Sequence, residues 1–351
     1  MRGQESTSEQ QLERTLLQAW QYVLRGQHPN GEIVSFRRDH EANYQYLRSP
    51  FVSTFVHDAL GGFDHTSPLV QPGCLELVSK RYRTRFQGEV IEVRRRIRGF
   101  LAWQQEADGW WRFFGRGSGI DPDVNTTVCA AAALLEQQGA RWAERRQQSW
   151  AAVRQFRAAE GRYFTFLKPR QGGYGWLNPG GWPVVGFDRV VNADVLRYLC
   201  LVDEGEGQIR PLLHFVLSEV ESGAWRKGTP VYPNYLSFPF AVARAWRQGG
   251  LPEKEEVARQ LVPELLAQQQ ERGDFGGPLS TAFAAAALIN LGYRGPALER
   301  ACRSLVWDLG RSFDVLYEDF VIDGFGSPAL TAAMAMACLA QYQCLVEGAS
   351  A

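Results

Sequence analysis

The chain has no net charge: its 351 residues hold 38 basic side chains against 38 acidic ones. Proteins that grip a nucleic-acid backbone usually carry a basic excess, so nucleic acid is not an expected partner. Six cysteines are present, with no Cys-x-x-Cys pair among them. Cys129, Cys338 and Cys344 lie in apolar stretches, where a thiol packs as a small hydrophobe, so no disulfide framework is expected. The five histidines (His28, His40, His57, His65 and His214) lack metal-ligand spacing. An Asp-Asp-x-x-Asp cluster, of the kind that ionises a diphosphate with metal, is also missing. No metal and no cofactor are therefore expected. The first residues are polar and do not read as a signal peptide. No apolar run approaches the length that spans a bilayer. A cytoplasmic location is expected, with peripheral contact to a membrane surface if the ligand is greasy. Nothing in the chain identifies a protein partner.

Helical repeats are abundant. Gln105-Glu-Ala-Asp-Gly-Trp-Trp111 closes an amphipathic stretch, and Gln270-Glu-Arg-Gly-Asp-Phe275 closes another. Weaker copies end at Gly161-Arg-Tyr163, Gly223-Ala-Trp225 and Gly31. Glycine stops a helix in a conformation that other residues resist, and the aromatic behind it clamps the turn. After each copy comes a small, apolar, nearly uncharged segment: Ser53 to Leu60, Thr126 to Leu135, Val191 to Leu199, Leu236 to Trp246, Ser280 to Leu291, and Leu330 to Tyr342. A helix that is apolar all round is buried all round. Two-faced helices, such as Glu89 to Gln105 and Glu253 to Gln270, alternate with these. The pattern predicts an all-α fold, a single α/α toroid of about six inner and six outer helices. No Gly/Ser or Pro-rich linker divides residues 1–351, so one domain is expected. Strand signals are weak.

The segment Asp121-Pro-Asp-Val-Asn-Thr-Thr127 runs directly into Val128-Cys-Ala-Ala-Ala-Ala-Leu-Leu135. It places Asp123 at the mouth of a buried helix. Protonating a hydrocarbon needs an acid that rests neutral yet can release its proton. An apolar pocket keeps a carboxyl protonated, while a helix N-terminus and nearby amides or hydroxyls stabilise the anion left behind. Asp123 beside Asn125 and Thr126 has both ingredients. The same residue types also make an ordinary helix cap.

These residues resemble a known family. Gln105…Gly109-Trp110 and Gln270…Gly273-Asp-Phe275 resemble the Gln-Trp repeats of squalene-hopene and oxidosqualene cyclases. Asp123-Val-Asn125-Thr126-Thr127 is similar to the acid motif of class II terpene cyclases, Asp-x-Asp-Asp or Asp-x-Asp-Thr-Thr. Those cyclases generally have two or three helical domains. A chain of this length resembles instead a monodomain cyclase of the merosterolic acid synthase kind. The resemblance implies an isomerase (intramolecular lyase) that starts carbocation polycyclisation of a linear polyprenyl substrate by protonation. The head group it implies is a prenylated aromatic acid. At the usual proton donor, the middle Asp of the motif, this chain has Asn125. An amide cannot donate that proton. Asp123 is the first candidate to replace it, with Asp323, Asp188 and Asp194 as alternative acids at other inner-helix starts.

A cation cascade also needs walls that stabilise positive charge without capturing it, which aromatic faces provide. Candidates for contact with the substrate are Trp176, Trp182, Phe187, Tyr232, Tyr235, Phe238, Phe283 and Phe325. His57-Asp58 reads either as a proton relay or as a satisfied core pair. Arg189 and Arg226 could hold an anionic head group, or be solvated loop charges. Two other functions fit the same pattern. One is a non-catalytic isoprenoid-binding toroid. The other is an α/α-barrel glycoside hydrolase, with Glu318-Asp319 as a carboxyl pair.

Overall fold

The computed structural model describes residues 2–38, 43–64, 80–119, 121–166, 187–229, 231–308, 315–318 and 324–348. Twelve α-helices alternate between two rings among them. In chain order they are α1 (Arg2–Arg25), α2 (Pro50–Leu60), α3 (Lys80–Gln104), α4 (Val124–Leu134), α5 (Ala140–Arg154), α6 (Arg189–Leu201), α7 (Glu206–Ser222), α8 (Ser237–Gly249), α9 (Lys254–Ala267), α10 (Pro278–Asn290), α11 (Pro296–Asp308) and α12 (Pro328–Gly348). The even-numbered helices form the inner ring. Each packs on the next, and α12 closes back onto α2. The six expected inner segments are these six helices.

The two rings differ because their sequences differ. All eleven residues of α4 are buried, and α10 buries all but one of its residues. Alanine suits such positions, since it costs no side-chain entropy and lets neighbouring helices approach closely. Outer helices bury a single stripe instead: Val257, Leu261 and Leu265 on α9, and Leu212, Val216 and Val220 on α7. That is the i, i+4, i+8 spacing of one helix face. Burying each such side chain stabilises the fold by about 1.5–3 kcal/mol.

The expectation that no apolar run approaches bilayer length is corrected by α12. Its stretch Pro328–Val346 is long and apolar enough by composition to cross a bilayer. The physical reason is its place in the inner ring, where it packs on α1, α2, α10 and α11.

The repeated glycine phrase joins neighbouring outer helices. Gln105 donates from Nε2 to Ser149 Oγ at 3.0 Å and lies 3.5 Å from the Gly109 carbonyl. Gln269 donates to the carbonyls of Gly273 (2.9 Å) and Ala297 (2.8 Å). The bridging glutamine of the second copy is thus Gln269, one residue before the Gln270 that its sequence resemblance picks out. Gly109 has φ +89°, and a Cβ there would stand 2.5 Å from the Gln148 main chain on the next outer helix. Gly273 meets Arg300 in the same way at 2.7 Å. Only glycine permits both that backbone and that approach.

A second connection recurs at the fourth residue of four inner helices. Ser53, Thr127, Asn192 and Thr281 accept the main-chain N–H of Ile33, Trp111, Tyr163 and Phe275 at 3.0, 3.2, 2.8 and 3.0 Å. Each polar atom in an otherwise apolar helix thereby holds the turn that follows an outer helix.

A four-stranded antiparallel sheet lies at the mouth where the inner helices begin. Its strands are β1 (Phe36–Arg38), β2 (Tyr44–Tyr46), β3 (Val315–Glu318) and β4 (Gly324–Gly326), in the order β2-β1-β4-β3. Arg37 pairs with Phe325. Strands this short leave too few positions for an alternating pattern to register in the sequence.

Candidate active site

Asp123 is the N-cap of α4, in extended conformation at φ −118°, and it is 4% exposed. Its Oδ1 accepts the Thr126 N–H at 2.7 Å. Its Oδ2 is buried with no hydrogen-bond partner among the described residues. The main chain is held on both sides: Asp123 N–H donates to the Trp111 carbonyl at 3.3 Å, and Val124 N–H to the Thr165 carbonyl at 3.0 Å. Burial pushes the Asp123 pKa up to about 7, against the opposing pull of donors from Thr126 and the Phe113 amide. A carboxyl in this state is largely protonated just below neutral pH, and a helix N-terminus is ready to stabilise its anion.

Asn125 does not support Asp123 in the way expected. Its Nδ2 donates to the hydroxyl of Tyr232. Its Oδ1 lies 3.8 Å from the Cys129 thiol, one helical turn on. The second residue of the helix turns toward the ring interior, whereas the cap carboxyl turns back over the helix end. Thr126 supports Asp123 through its main-chain N–H, and Thr127 is one of the four fourth-residue connectors.

Aromatic rings extend from this mouth into the interior. Tyr232 lies 6.4 Å from Phe51, and Phe51 lies 5.5 Å from Phe113. Phe325 of β4 packs on Phe113 at 5.9 Å and Phe114 at 5.2 Å. Deeper in the ring, Phe51, Phe55, Phe240 and Phe283 follow one another at 4.9, 6.2 and 4.7 Å. Tyr232, Phe283 and Phe325 therefore belong to one continuous aromatic series. Tyr235 and Phe238 pack on Trp225 instead. Phe187 stacks on Phe164 at 4.7 Å with the Arg162 guanidinium 3.9 Å above its ring. Trp176, Trp182 and Asp323 lie outside the described residues. Sequence reasoning missed Phe51, Phe55 and Phe113 as members of the series. The first two sit on the first inner helix, where the sequence singled out only His57-Asp58.

The alternative acids occupy different settings. Asp188 caps α6, accepting the Val190 and Val191 N–H groups at 2.8 and 3.1 Å. Burial raises its pKa, with hydrogen bonds from Thr229, Val191 and Val190 opposing the rise. Asp194 forms an ion pair with Arg244 at 2.5 Å. Arg189 is held by Glu219 and by the carbonyls of Ala224 and Gly228, and Arg226 is paired with Glu264.

Asp194 belongs to a buried ionic network that the sequence did not reveal. Arg244 also reaches Asp58 at 3.0 Å, and Arg197 reaches Asp58 at 2.6 Å. Arg94 pairs with Asp64 and with Glu136, which also takes Arg98 at 2.9 Å. The Arg244 guanidinium lies 5.1 Å from the Phe55 ring and 5.0 Å from Phe240. Burial drives the His57 pKa well below its usual value, and Arg94, Arg98 and Arg197 add to the effect. Burial pushes Asp58 the other way, but Arg197 and Arg244 hold it below the usual carboxylate range. The His57 ring lies 3.2 Å from Arg98 Nη1, whereas Asp58 is paired with Arg197 and Arg244, so the two side chains have different partners. Cys129 links the network to the acid motif, with its thiol 3.8 Å from Asp194 Oδ2.

No protein-family profile and no curated protein matches the sequence. Solved structures do match. A type II terpene cyclase from Scytonema, in complex with geranylgeranyl dihydroxybenzoate, has a TM-score of 0.70 at 16% identity, over 97% of this chain and 99% of its own. An ent-copalyl diphosphate synthase from Streptomyces platensis has a TM-score of 0.57 at 18% identity, over 84% of this chain and 50% of its own. An α-amylase from Clostridium perfringens reaches 0.58 at 9% identity, over 94% and 98%. At these identities the likenesses show the fold, an α/α toroid of the kind found in type II terpene cyclases. The amylase shares that fold, so the fold alone does not select the chemistry.

Proposed function

We propose that the protein is a class II terpene cyclase. It acts on a linear polyprenyl substrate with an aromatic acid head group, and residues 1–351 work as one toroid domain. The observation that carries this reading is the Asp123 carboxyl: buried, half-unpaired, and raised to about 7 at the N-terminus of an inner helix beside an aromatic wall. A solved cyclase of this fold binds geranylgeranyl dihydroxybenzoate, and another structure holds merosterolic acid A as product. In the reaction, an alkene π pair takes the proton from Asp123, leaving a carboxylate and a tertiary cation. Later alkenes attack that cation in turn, each forming a C–C bond with its π pair. Loss of a proton at the end makes the whole an isomerisation with no external oxidant or reductant. The Thr126 N–H and the helix terminus stabilise the carboxylate, and rings such as Tyr232, Phe51 and Phe283 stabilise the moving charge. The substrate is collected at a membrane surface, and the enzyme works in the cytoplasm.

The test is product formation from geranylgeranyl dihydroxybenzoate. Asp123→Asn keeps the cap and the fold but removes the proton, so melting temperature should hold while cyclisation is lost. Near wild-type turnover would move the acid to Asp188, Asp194 or Asp323. A second reading, the non-catalytic isoprenoid-binding toroid, is favoured by Asn125, an amide committed to Tyr232 at the usual donor position. It requires the wild type to bind the substrate without turning it over, and Asn125→Asp to create turnover.

A further inference from the structure

The first and last inner helices start alike. The chain enters α2 through Ser49-Pro50 and α12 through Ser327-Pro328. The two helices are neighbours in the closed ring. At the starts of α4 and α6 a carboxyl of the chain itself, Asp123 or Asp188, accepts the helix N–H groups. The two serines leave their helix ends open. Ser49 makes no side-chain cap bond, and the hydroxyl oxygens of Ser49 and Ser327 are buried with no hydrogen-bond partner. The residues are only 3% and 0% exposed. A buried hydroxyl without a partner carries a desolvation cost, which a hydrogen-bonding ligand removes. We propose that these two helix starts bind the carboxylate of the substrate's aromatic head group. The assignment rests on the reading of the ligand as a polyprenyl aromatic acid.

The backbone brings the two starts together. Leu47 N–H donates to the Ser35 carbonyl at 3.0 Å, and the adjoining Phe36 pairs with Gly326. Ser49 and Ser327 therefore follow segments that flank β1 on either side. Packed helices lie roughly 8–10 Å apart between axes, a gap that two serine side chains and one carboxylate between them can span. Both helix N-termini carry partial positive charge, which favours an anion there. No arginine is needed for this. Arg48 is paired with Glu32, Arg189 with Glu219 and Arg226 with Glu264. Aromatic rings stand beside the two starts. Phe51 is the second residue of α2, and Phe325 comes two residues before Ser327. Phe113 lies 5.5 Å from Phe51 and 5.9 Å from Phe325, and the partly buried Phe114 lies 5.2 Å from Phe325. An aromatic head group packs against such rings while its carboxylate meets the serines. With its tail at Asp123 on α4, which packs on α2, the substrate has both ends at the mouth, and its chain folds between them toward Phe55 and Phe240.

The test does not require turnover. Calorimetric titration of the whole protein would use geranylgeranyl dihydroxybenzoate with its chain alkenes hydrogenated, and the matching primary carboxamide. The acid should bind about tenfold more tightly than the amide. Ser49→Ala and Ser327→Ala should each narrow that difference, and the double variant should abolish it, while affinity for the amide holds. Ser237→Ala removes another buried, unpartnered hydroxyl, at the start of α8, and should leave the difference as in the wild type. The melting temperature without ligand should not fall in the serine variants, because neither hydroxyl has a partner to lose. A fall would show ordinary helix caps and overturn the assignment. Equal binding of acid and amide by the wild type, or a difference that survives the double variant, overturns it too and leaves the polyprenyl reading standing. Binding of neither ligand overturns both.

Discussion

At the scale of single residues, five consecutive positions divide their work by the direction each side chain takes. Asp123 turns back over the helix end, Asn125 turns inward to Tyr232, and Thr127 holds Trp111. Asn125→Ala releases Tyr232 without touching the carboxyl. It should lower turnover several-fold, far less than Asp123→Asn, in the same product assay. The raised pKa of Asp123 has two consequences with pH. Its folded value of about 7 exceeds its value in the unfolded chain, so the native state keeps a proton that the unfolded chain releases. The contribution of Asp123 to stability is therefore fully present below pH ~4, falls as pH rises toward about 7, and levels off above it. The span is roughly 4 kcal/mol at most. Melting curves across that window should differ between the wild type and Asp123→Asn by the share that Asp123 contributes, while Asp188, also raised by burial, acts in both. Turnover should fall above about pH 7 as the donor loses its proton.

At the scale of elements, the turns into α4 and α10 each depend on a glycine, a glutamine and a polar fourth residue. Gly109→Ala would strain a backbone at φ +89° and drive a methyl into the Gln148 main chain. It should cost about 2 kcal/mol or more in chemical denaturation. Thr127→Val loses one hydrogen bond and leaves the Trp111 N–H unpaired, at about 1–3 kcal/mol, with Asp123 still in place. These elements were largely legible in the sequence. Helices such as α4 and α10 are apolar on every side, and the glycine phrase marks where outer helices stop. The register of the second phrase was off by one, because three successive glutamines, Gln268 to Gln270, offer no local reason to choose the middle one. The sheet was not legible, since β1 pairs with a three-residue strand near the far end of the chain. Nor was the place of Phe51 and Phe55, whose role comes only from the ring setting α2 across the interior from α8 and beside the turn before α4.

At the scale of the whole molecule, the ionic network joins the inner ring. Asp58 on α2, Asp194 and Arg197 on α6 and Arg244 on α8 meet in the interior. Nothing in the sequence pairs them, because helices far apart in the chain supply the charges and each looks locally like an ordinary polar position. Arg244→Met fills the space between Phe55 and Phe240 but strands the Asp194 carboxylate and leaves Asp58 with Arg197 alone. The loss should be about 3–5 kcal/mol, read from denaturant midpoints. A further change of Asp194→Asn should recover part of that loss, since it removes one stranded charge.

Ring closure also orders events during synthesis. The seam between α2 and α12 joins the first inner helix made to the last. Until Pro328–Gly348 has left the ribosome, both flanks of the ring stay open and the small apolar faces of α2 and α10 have no neighbour there. Nascent chains therefore carry a greasy, unsealed edge through most of their translation. Messages that end before Pro328 should yield aggregated or chaperone-bound product, whereas trimming a finished, sealed ring leaves soluble protein.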